Sequence, residues 1–210
     1  MTKEFAQFRH ALRLRLSQPL PGSHTHLNMA PSARAVADAL SVRGKSCREA
    51  AVIALIYPDR DGPSLLLTLR RSDLADHPGQ ISFPGGSRDA GEDLVETALR
   101  EAREELGVSP EDVDVLGPLT PLFIPPSGFC VYPFVATVDR LRDLSPNPDE
   151  VEAVLRVPLS HFLEENIRVT EEWVLRGEPV TVPFYAYETH KVWGATAMIL
   201  SELLELVREV

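Results

Sequence analysis

The sequence holds only two cysteines in 210 residues, Cys47 and Cys130. That is too few for a disulfide framework or a four-cysteine zinc site. A reducing compartment is the simpler inference, although the pair would suffice for one bridge. Long apolar runs are also lacking. None approaches the ~20 residues needed to span a bilayer, so no membrane partner is expected. The N-terminal stretch MTKEFAQFRHALRLRL has no apolar segment followed by a small-residue cleavage site. Phe5, Phe8, Leu12, Leu14 and Leu16 instead suggest a short amphipathic helix. A basic presequence is the rival reading, weakened by Glu4 and by the absence of serine enrichment. The terminal REV is not an organelle address, and cytoplasm is the default expectation. Cations are scarce too, with 21 Lys and Arg against 31 Asp and Glu, a formal charge of −10. Such a balance works against a sequence-wide grip on nucleic acid, and none is expected as a partner. A small anionic substrate would need a metal or a local basic patch.

What is present is an ordinary globular composition, 44% hydrophobic, in a length that suits one main domain. Residues 17 to 33 are rich in Pro, Ser, Gly and His without periodicity and read as a loop. A second helix is expected from Ala33 to Leu40. From Glu49 the segment EAAVIALIYPDRDGPSLLLTLRR gives two apolar strands about a turn built on Pro58, Asp59, Asp61, Gly62 and Pro63. A helix is predicted from Asp93 to Leu106, with Val95, Leu99, Ala102 and Leu106 on one stripe and Gly107 as its stop. Strands are expected at 113–116, 132–138, 173–176 and 180–187, and short helices at 159–165 and 195–207. Strands on both sides of one strong helix point to an α+β fold or a mixed-sheet sandwich. The division drawn is 1–45, an N-terminal helical extension and loop, and 46–210, the main domain. Nothing in the sequence speaks to the oligomeric state.

The chemistry is concentrated in GGSRDAGEDLVETALREAREELGV, Gly85 to Val108. Glu101, Glu104 and Glu105 stand at i, i+3 and i+4, so three carboxylates share a helix face away from the apolar stripe. Arg100 and Arg103 relieve their repulsion in part, and a bound divalent cation would do so more fully. Carboxylates without Cys or His select Mg²⁺ or Mn²⁺. A solvated acidic face is the bland alternative. The spacing decides between them. From Gly86 the chain follows G-x5-E-x7-R-E-U-x-E-E-x-G-U through Gly86, Glu92, Arg100, Glu101, Glu104, Glu105 and Gly107, with Ala102 and Val108 at the apolar places. This resembles the box of Nudix hydrolases. The resemblance implies a Nudix-type α/β/α sandwich with a mixed sheet that cleaves a substituted diphosphate with Mg²⁺ or Mn²⁺. It implies metal ligation by Glu101, Glu104 and Glu105, a backbone ligand at Gly85 or Gly86, and a bracing salt bridge between Glu92 and Arg100.

The stretch just upstream, LLTLRRSDLADHPGQISFPGG, resembles the additional signature L-L-T-x-R-[SA]-x3-R-x3-G-x3-F-P-G-G of the coenzyme A pyrophosphatase branch. Leu66, Leu67, Thr68, Arg70, Gly79, Phe83, Pro84, Gly85 and Gly86 fall in register. Arg71 stands where Ser or Ala is expected, and Ala75 where a second Arg is expected. Arg70, Arg71 and His77 are therefore the candidates for substrate phosphate, and Gln80 is a donor to phosphate or adenine, or a loop brace. Segments 127–135, 147–163 and 192–206 also resemble that branch, so the likeness runs from about residue 50 to the end. It implies hydrolysis of coenzyme A or a derivative to 3′,5′-ADP and 4′-phosphopantetheine, with ADP-ribose or NADH as the alternative substrates and a non-catalytic nucleotide-binding module as the alternative class. The catalytic carboxylates are expected among Glu101, Glu104 and Glu150, the last on a late loop. The base is Glu104 or a loop residue such as Glu150.

Overall fold

A computed structural model describes residues 2–32, 40–74, 78–175 and 177–210. The chain opens with helix α1 (Lys3–Leu16), capped by Thr2, whose hydroxyl accepts from the Phe5 amide at 3.2 Å. Phe5, Leu12 and Leu16 are buried, but Leu14 is half exposed and lies off the stripe. The stretch read as loop contains one helical turn, α2 (Ser23–Leu27), too short to show a periodic signal. The helix expected from Ala33 falls outside the described residues up to Leu40.

Strands β1 (Arg48–Asp59) and β2 (Gly62–Arg70) form the expected hairpin. Its turn is tighter than the sequence suggested. Pro58 faces Pro63 and Asp59 faces Gly62 in the ladder, so only Arg60 and Asp61 connect the strands. Then come β3 (Ile81–Ser82), β4 (Gly85–Ser87), helix α3 (Leu94–Leu106), β5 (Val113–Pro118), β6 (Leu122–Ile124), β7 (Phe129–Val138) and β8 (Val151–Pro158). The chain closes with α4 (Leu159–Phe162), β9 (Arg168–Leu175), β10 (Glu178–Tyr187), β11 (His190–Trp193) and α5 (Gly194–Val207). The main sheet runs β3-β2-β1-β7-β5, with β4 added to β1, β6 to β7 and β8 to β2. It is mixed because β1 and β7 are parallel while the other pairs are antiparallel. A separate antiparallel sheet has the order β11-β10-β9.

Period-two alternation along β1 explains the layering. Ala51, Ile53, Leu55 and Tyr57 face one way and join Ala98, Ala102 and Leu106 of α3 in one core cluster. Ala54 and Ile56 face the other way and join Phe5, Leu12 and Leu16 of α1 and the apolar run of α5 in the larger cluster. The fold is thus α+β, a mixed sheet held between helices. Asp93 and Glu96 form a reciprocal capping box at the start of α3, and Gly107 closes it in the left-handed region at φ 72°. Val95 lies off the contact stripe, because Thr97 and Ala98 turn inward instead. Among the described residues no helix is long and apolar enough to cross a membrane.

Cys47 and Cys130 are bonded, the one bridge that their number allows. Cys130 is fully buried on β7 and Cys47 sits one residue before β1, with Cα atoms 5.7 Å apart. Parallel pairing of β1 with β7 brings together positions 83 residues apart. The cysteine count therefore no longer argues for a reducing compartment, and the cytoplasmic expectation loses that support. A bridge closing so long a loop contributes ~2–4 kcal/mol. The non-reduced intact mass should fall two hydrogens short of the reduced one, and reduction should lower the melting temperature by roughly 5–15 °C. An unchanged mass on reduction would refute the bond.

Candidate active site

Three backbone features gather the site. The last residue of β2 supplies Arg70, strand β4 brings Gly85 and Gly86 against β1, and α3 carries the glutamates. The approach of β4 to α3 is close. A Cβ on Gly86 would collide with the Glu101 carboxylate, and one on Gly85 would lie 2.6 Å from the Val52 Cα. Glycine is required at Gly85 because the β1 backbone lies where a side chain would otherwise stand, whereas a larger residue at Gly86 would displace the Glu101 carboxylate.

Arg100 organises the outer half of the cluster. Its Nε donates to Glu92 at 2.7 Å, its Nη1 to Glu101 at 2.8 Å and Glu104 at 2.9 Å, and its Nη2 to the Ser87 carbonyl at 3.0 Å. The Glu92–Arg100 bridge joins the loop before α3 to the middle of the helix. That guanidinium, with the Thr97 hydroxyl, holds the Glu92 carboxyl down to about 2. Glu104, with its side chain 47% exposed, points outward. Glu101 is more enclosed. Burial raises its pKa against the pull of Arg100, and the charges of Glu104 and Glu150 push the same way.

Glu105 is the inner residue, only 2% exposed. Burial raises its pKa to about 8, further raised by Glu101 and Glu150 and opposed by Arg70 and the Gly85 backbone. Arg70 Nη1 lies 3.9 Å from Glu105 Oε1. Glu105 Oε2 and Arg70 Nε are both buried without a hydrogen-bond partner. Glu150 stands on a loop pinned to the end of α3, near enough for its charge to act on Glu101 and Glu105. The Ser145 amide donates to the Leu106 carbonyl at 2.9 Å and the Asn147 amide to the Glu105 carbonyl at 2.8 Å. The structure thus brings Arg70, Gly85, Glu101 and Glu105 together, with Glu150 acting on them through its charge.

Among the described residues no three acidic or imidazole side chains stand as a finished metal cage. The donors nevertheless fit a hard divalent cation. Glu105 offers a buried, unpartnered oxygen, and Glu101 and Glu104 each commit one oxygen to Arg100 and keep a second. A cation here would relieve the mutual repulsion that burial has intensified.

Arg70 and Gly85 also line a cavity of about 800 Å³. Its walls are mainly apolar, among them Phe83, Ile124, Val131, Trp193 and Ile199, with Gln80 and Glu178 as polar members. Trp193 is one of its aromatic walls. Its position on the cavity wall is set by the pairing of β11 with β10, which the sequence did not reveal. Arg71 does not line this cavity. It braces a loop, its Nε and Nη2 donating to Asp73 at 2.8 and 2.6 Å and its Nη1 to the Pro148 carbonyl at 2.7 Å. His77 lies outside the described residues.

Comparisons with known proteins bear on the family and the fold. The NUDIX domain matches residues 48–176. A protein named uncharacterized Nudix hydrolase NudL, from Photorhabdus laumondii, is 39% identical over 162 residues, covering 77% of this chain and 86% of its own length. The human mitochondrial coenzyme A diphosphatase NUDT8 is 40% identical over 163 residues, covering 75% of this chain and 69% of its own. Among solved structures, the Nudix hydrolase RenU of M. smegmatis superposes with a TM-score of 0.53 at 18% identity, over 78% of this chain and 87% of that one. The NUDIX domain of Shewanella oneidensis NrtR does so with 0.51 at 18%, over 79% and 88%. These two show likeness of fold.

The raised pKa of Glu105 has a consequence for stability. Between pH 4.5 and about 8 the folded protein holds a proton that the unfolded chain has lost. In chelator, its stability should therefore fall as pH rises through that window, by at most ~1.4 kcal/mol per pH unit. Glu105→Gln should remove that slope, gaining on the wild type as pH rises and matching its trend below pH 4.5. Parallel urea-unfolding curves for the two proteins across the window would show that Glu105 titrates normally.

Proposed function

Because this chain belongs to the Nudix hydrolase family, we propose that it is a pyrophosphohydrolase, dependent on Mg²⁺ or Mn²⁺, that cleaves the diphosphate of coenzyme A or a derivative to 3′,5′-ADP and 4′-phosphopantetheine. The observation that carries the reading is the junction of Glu105 with the cavity. A buried carboxylate with a spare oxygen shares Arg70 and Gly85 with a large, mainly apolar pocket. A diphosphate bearing a long, largely uncharged arm suits that arrangement. The name of the human relative, a coenzyme A diphosphatase at 40% identity, supports the same substrate class. We place the catalytic unit in residues 46–210.

Glu101, Glu104 and Glu105 would hold the cation, with a backbone oxygen of Gly85 or Gly86. When bound, it supplies charge neutralisation at the diphosphate and acidifies a water molecule. The remaining work falls to the chain itself. Arg70, 3.9 Å from Glu105, places a guanidinium where the scissile diphosphate would lie. Phe83, Val131 and Trp193 give the arm a dry wall and exclude competing water. Glu150, on its loop, raises the proton affinity of both Glu101 and Glu105. It is the carboxylate best placed to take the proton of the attacking water, since Glu104 points outward and is held by Arg100.

The test is product analysis with Mg²⁺ or Mn²⁺ over coenzyme A, acyl-coenzyme A, dephospho-coenzyme A, ADP-ribose, NADH and diadenosine polyphosphates. Coenzyme A or an acyl form should be turned over fastest. Arg70→Ala should lower kcat/KM roughly 10- to 150-fold. The loss should be equal on coenzyme A and dephospho-coenzyme A, because Arg70 adjoins the glutamates and would meet the diphosphate shared by both. A larger loss on coenzyme A would move Arg70 to the 3′-phosphate, and faster cleavage of ADP-ribose or NADH would overturn the substrate assignment.

A further inference from the structure

We propose that Arg71 is a positioning residue that fixes Glu150 over the glutamate cluster. The inference rests on the reading of Glu150 given above.

Arg71 stands immediately after β2, and its backbone and side chain both engage the loop that carries Glu150. The Arg71 amide donates to the Glu150 carbonyl at 3.0 Å, and Nη1 donates to the Pro148 carbonyl at 2.7 Å. Two contacts two residues apart fix the position of the loop and also its rotation about the chain axis. Asp73 holds the guanidinium in this pose by a two-point contact through Nε and Nη2. All three kinds of guanidinium nitrogen are thereby occupied, which leaves the side chain little freedom to turn toward a ligand.

From the other side, the loop is tied to α3 through the Asn147 amide and the Glu105 carbonyl. Within it, the amides of Glu150 and Val151 donate to the Asn147 carbonyl at 3.1 and 2.9 Å, and the Asn147 side-chain amide donates to Glu150 Oε1 at 3.3 Å. The loop is thus a clamped turn with one anchor on the helix that bears Glu101 and Glu105 and the other on Arg71. Pairing of β2 with β8 is irregular at Leu69 and Arg70, so the ladder alone does not set the entry of the loop. A serine or alanine at position 71, as the signature would have it, could donate through the backbone but could not reach Pro148. This chain therefore adds a side-chain anchor of its own.

An exposed Arg–Asp pair contributes little to global stability, so the effect should be local. Hydrogen exchange on the substrate-free protein reads it directly. In Arg71→Ala the amides of Glu150 and Val151 should exchange roughly tenfold or more faster, while that of Leu155 within β8 stays unchanged. Arg71→Lys should restore only part of the protection, since one ammonium cannot serve Asp73 and Pro148 as a fork does. In turnover, Arg71→Ala should lower kcat roughly tenfold with KM nearly unchanged, because Arg71 does not line the cavity. In a Glu150→Gln background the same change should cost nothing further. Unchanged exchange in the loop would overturn the anchor alone. A loss confined to KM, or an undiminished loss in the Glu150→Gln background, would show Arg71 acting on substrate or elsewhere. Wild-type turnover by Glu150→Gln would overturn both this inference and the reading of Glu150 beneath it.

Discussion

Repulsion between carboxylates on one helix face is the constraint around which the molecule is arranged. Glu101, Glu104 and Glu105 cannot share two turns of α3 in the ionised state without compensation. Arg100 provides it on the outer side, spanning Glu92, Glu101, Glu104 and the Ser87 carbonyl. Its reach has a structural result as well as an electrostatic one. By bonding Glu92 and Ser87 it holds the loop after β4 against α3, and so keeps Gly85 and Gly86 beside Glu101 and Glu105. On the inner side Arg70 is nearly 4 Å away with its Nε unpartnered, so compensation there is incomplete. The imbalance across the helix, neutralised outside and unresolved inside, is what gives the site its chemistry.

The sheet makes that imbalance tolerable. Because β1 is buried on both faces, α3 gains a continuous apolar partner in Ala51, Ile53, Leu55 and Tyr57, while α1 and α5 press on the opposite face. Burial on this scale supports a few strained electrostatic positions at one edge. Small residues at Ala98 and Ala102 let α3 settle close to β1 and β4. That closeness buries Glu105 and also sets Gly86 against the Glu101 carboxylate, so packing and site geometry derive from the same approach.

The parts of this arrangement that were legible in sequence are those written in local spacing. The helix expected from Asp93 to Leu106 and its glycine stop follow from residues within about two dozen positions of one another, and the Glu92–Arg100 bridge was implied by the likeness of that stretch to the Nudix box. Parts set by distant pairing were not legible. β8 was missed because VEAVLRVP mixes charge with apolar residues and follows a Pro-rich stretch, and its strand character comes from lying against β2. The bond between Cys47 and Cys130 depends on a parallel pairing that no local pattern announces. Arg71 shows a different limit. As a residue type beside Arg70 it reads as a second phosphate contact, yet Asp73 two places on captures it, and Pro148 completes the capture from across the fold. Only that nearby aspartate was a signal in the sequence.

A second buried glutamate shows that burial alone does not make a site. Glu202 of α5 is fully enclosed, more so than Glu105. Burial raises its pKa too, but four donors answer it. Glu202 accepts from the Gly22 amide at 2.9 Å, the Thr120 amide at 2.9 Å and the Thr120 hydroxyl at 2.6 Å, and lies 3.2 Å from His26 Nε2. Its pKa ends below the ordinary carboxylate value, with both oxygens occupied. That carboxylate ties α2, the segment before β6 and α5 into one unit and has nothing left to offer a ligand. Around Glu105 burial is answered only by Arg70 and the Gly85 backbone while Glu101 and Glu150 add like charge, and its pKa moves the opposite way, to about 8. The two residues share a side chain and a buried setting, so the difference lies in what surrounds them. Donors close the charge of Glu202 within the protein, whereas the cluster around Glu105 leaves a negative charge for something outside the chain to complete.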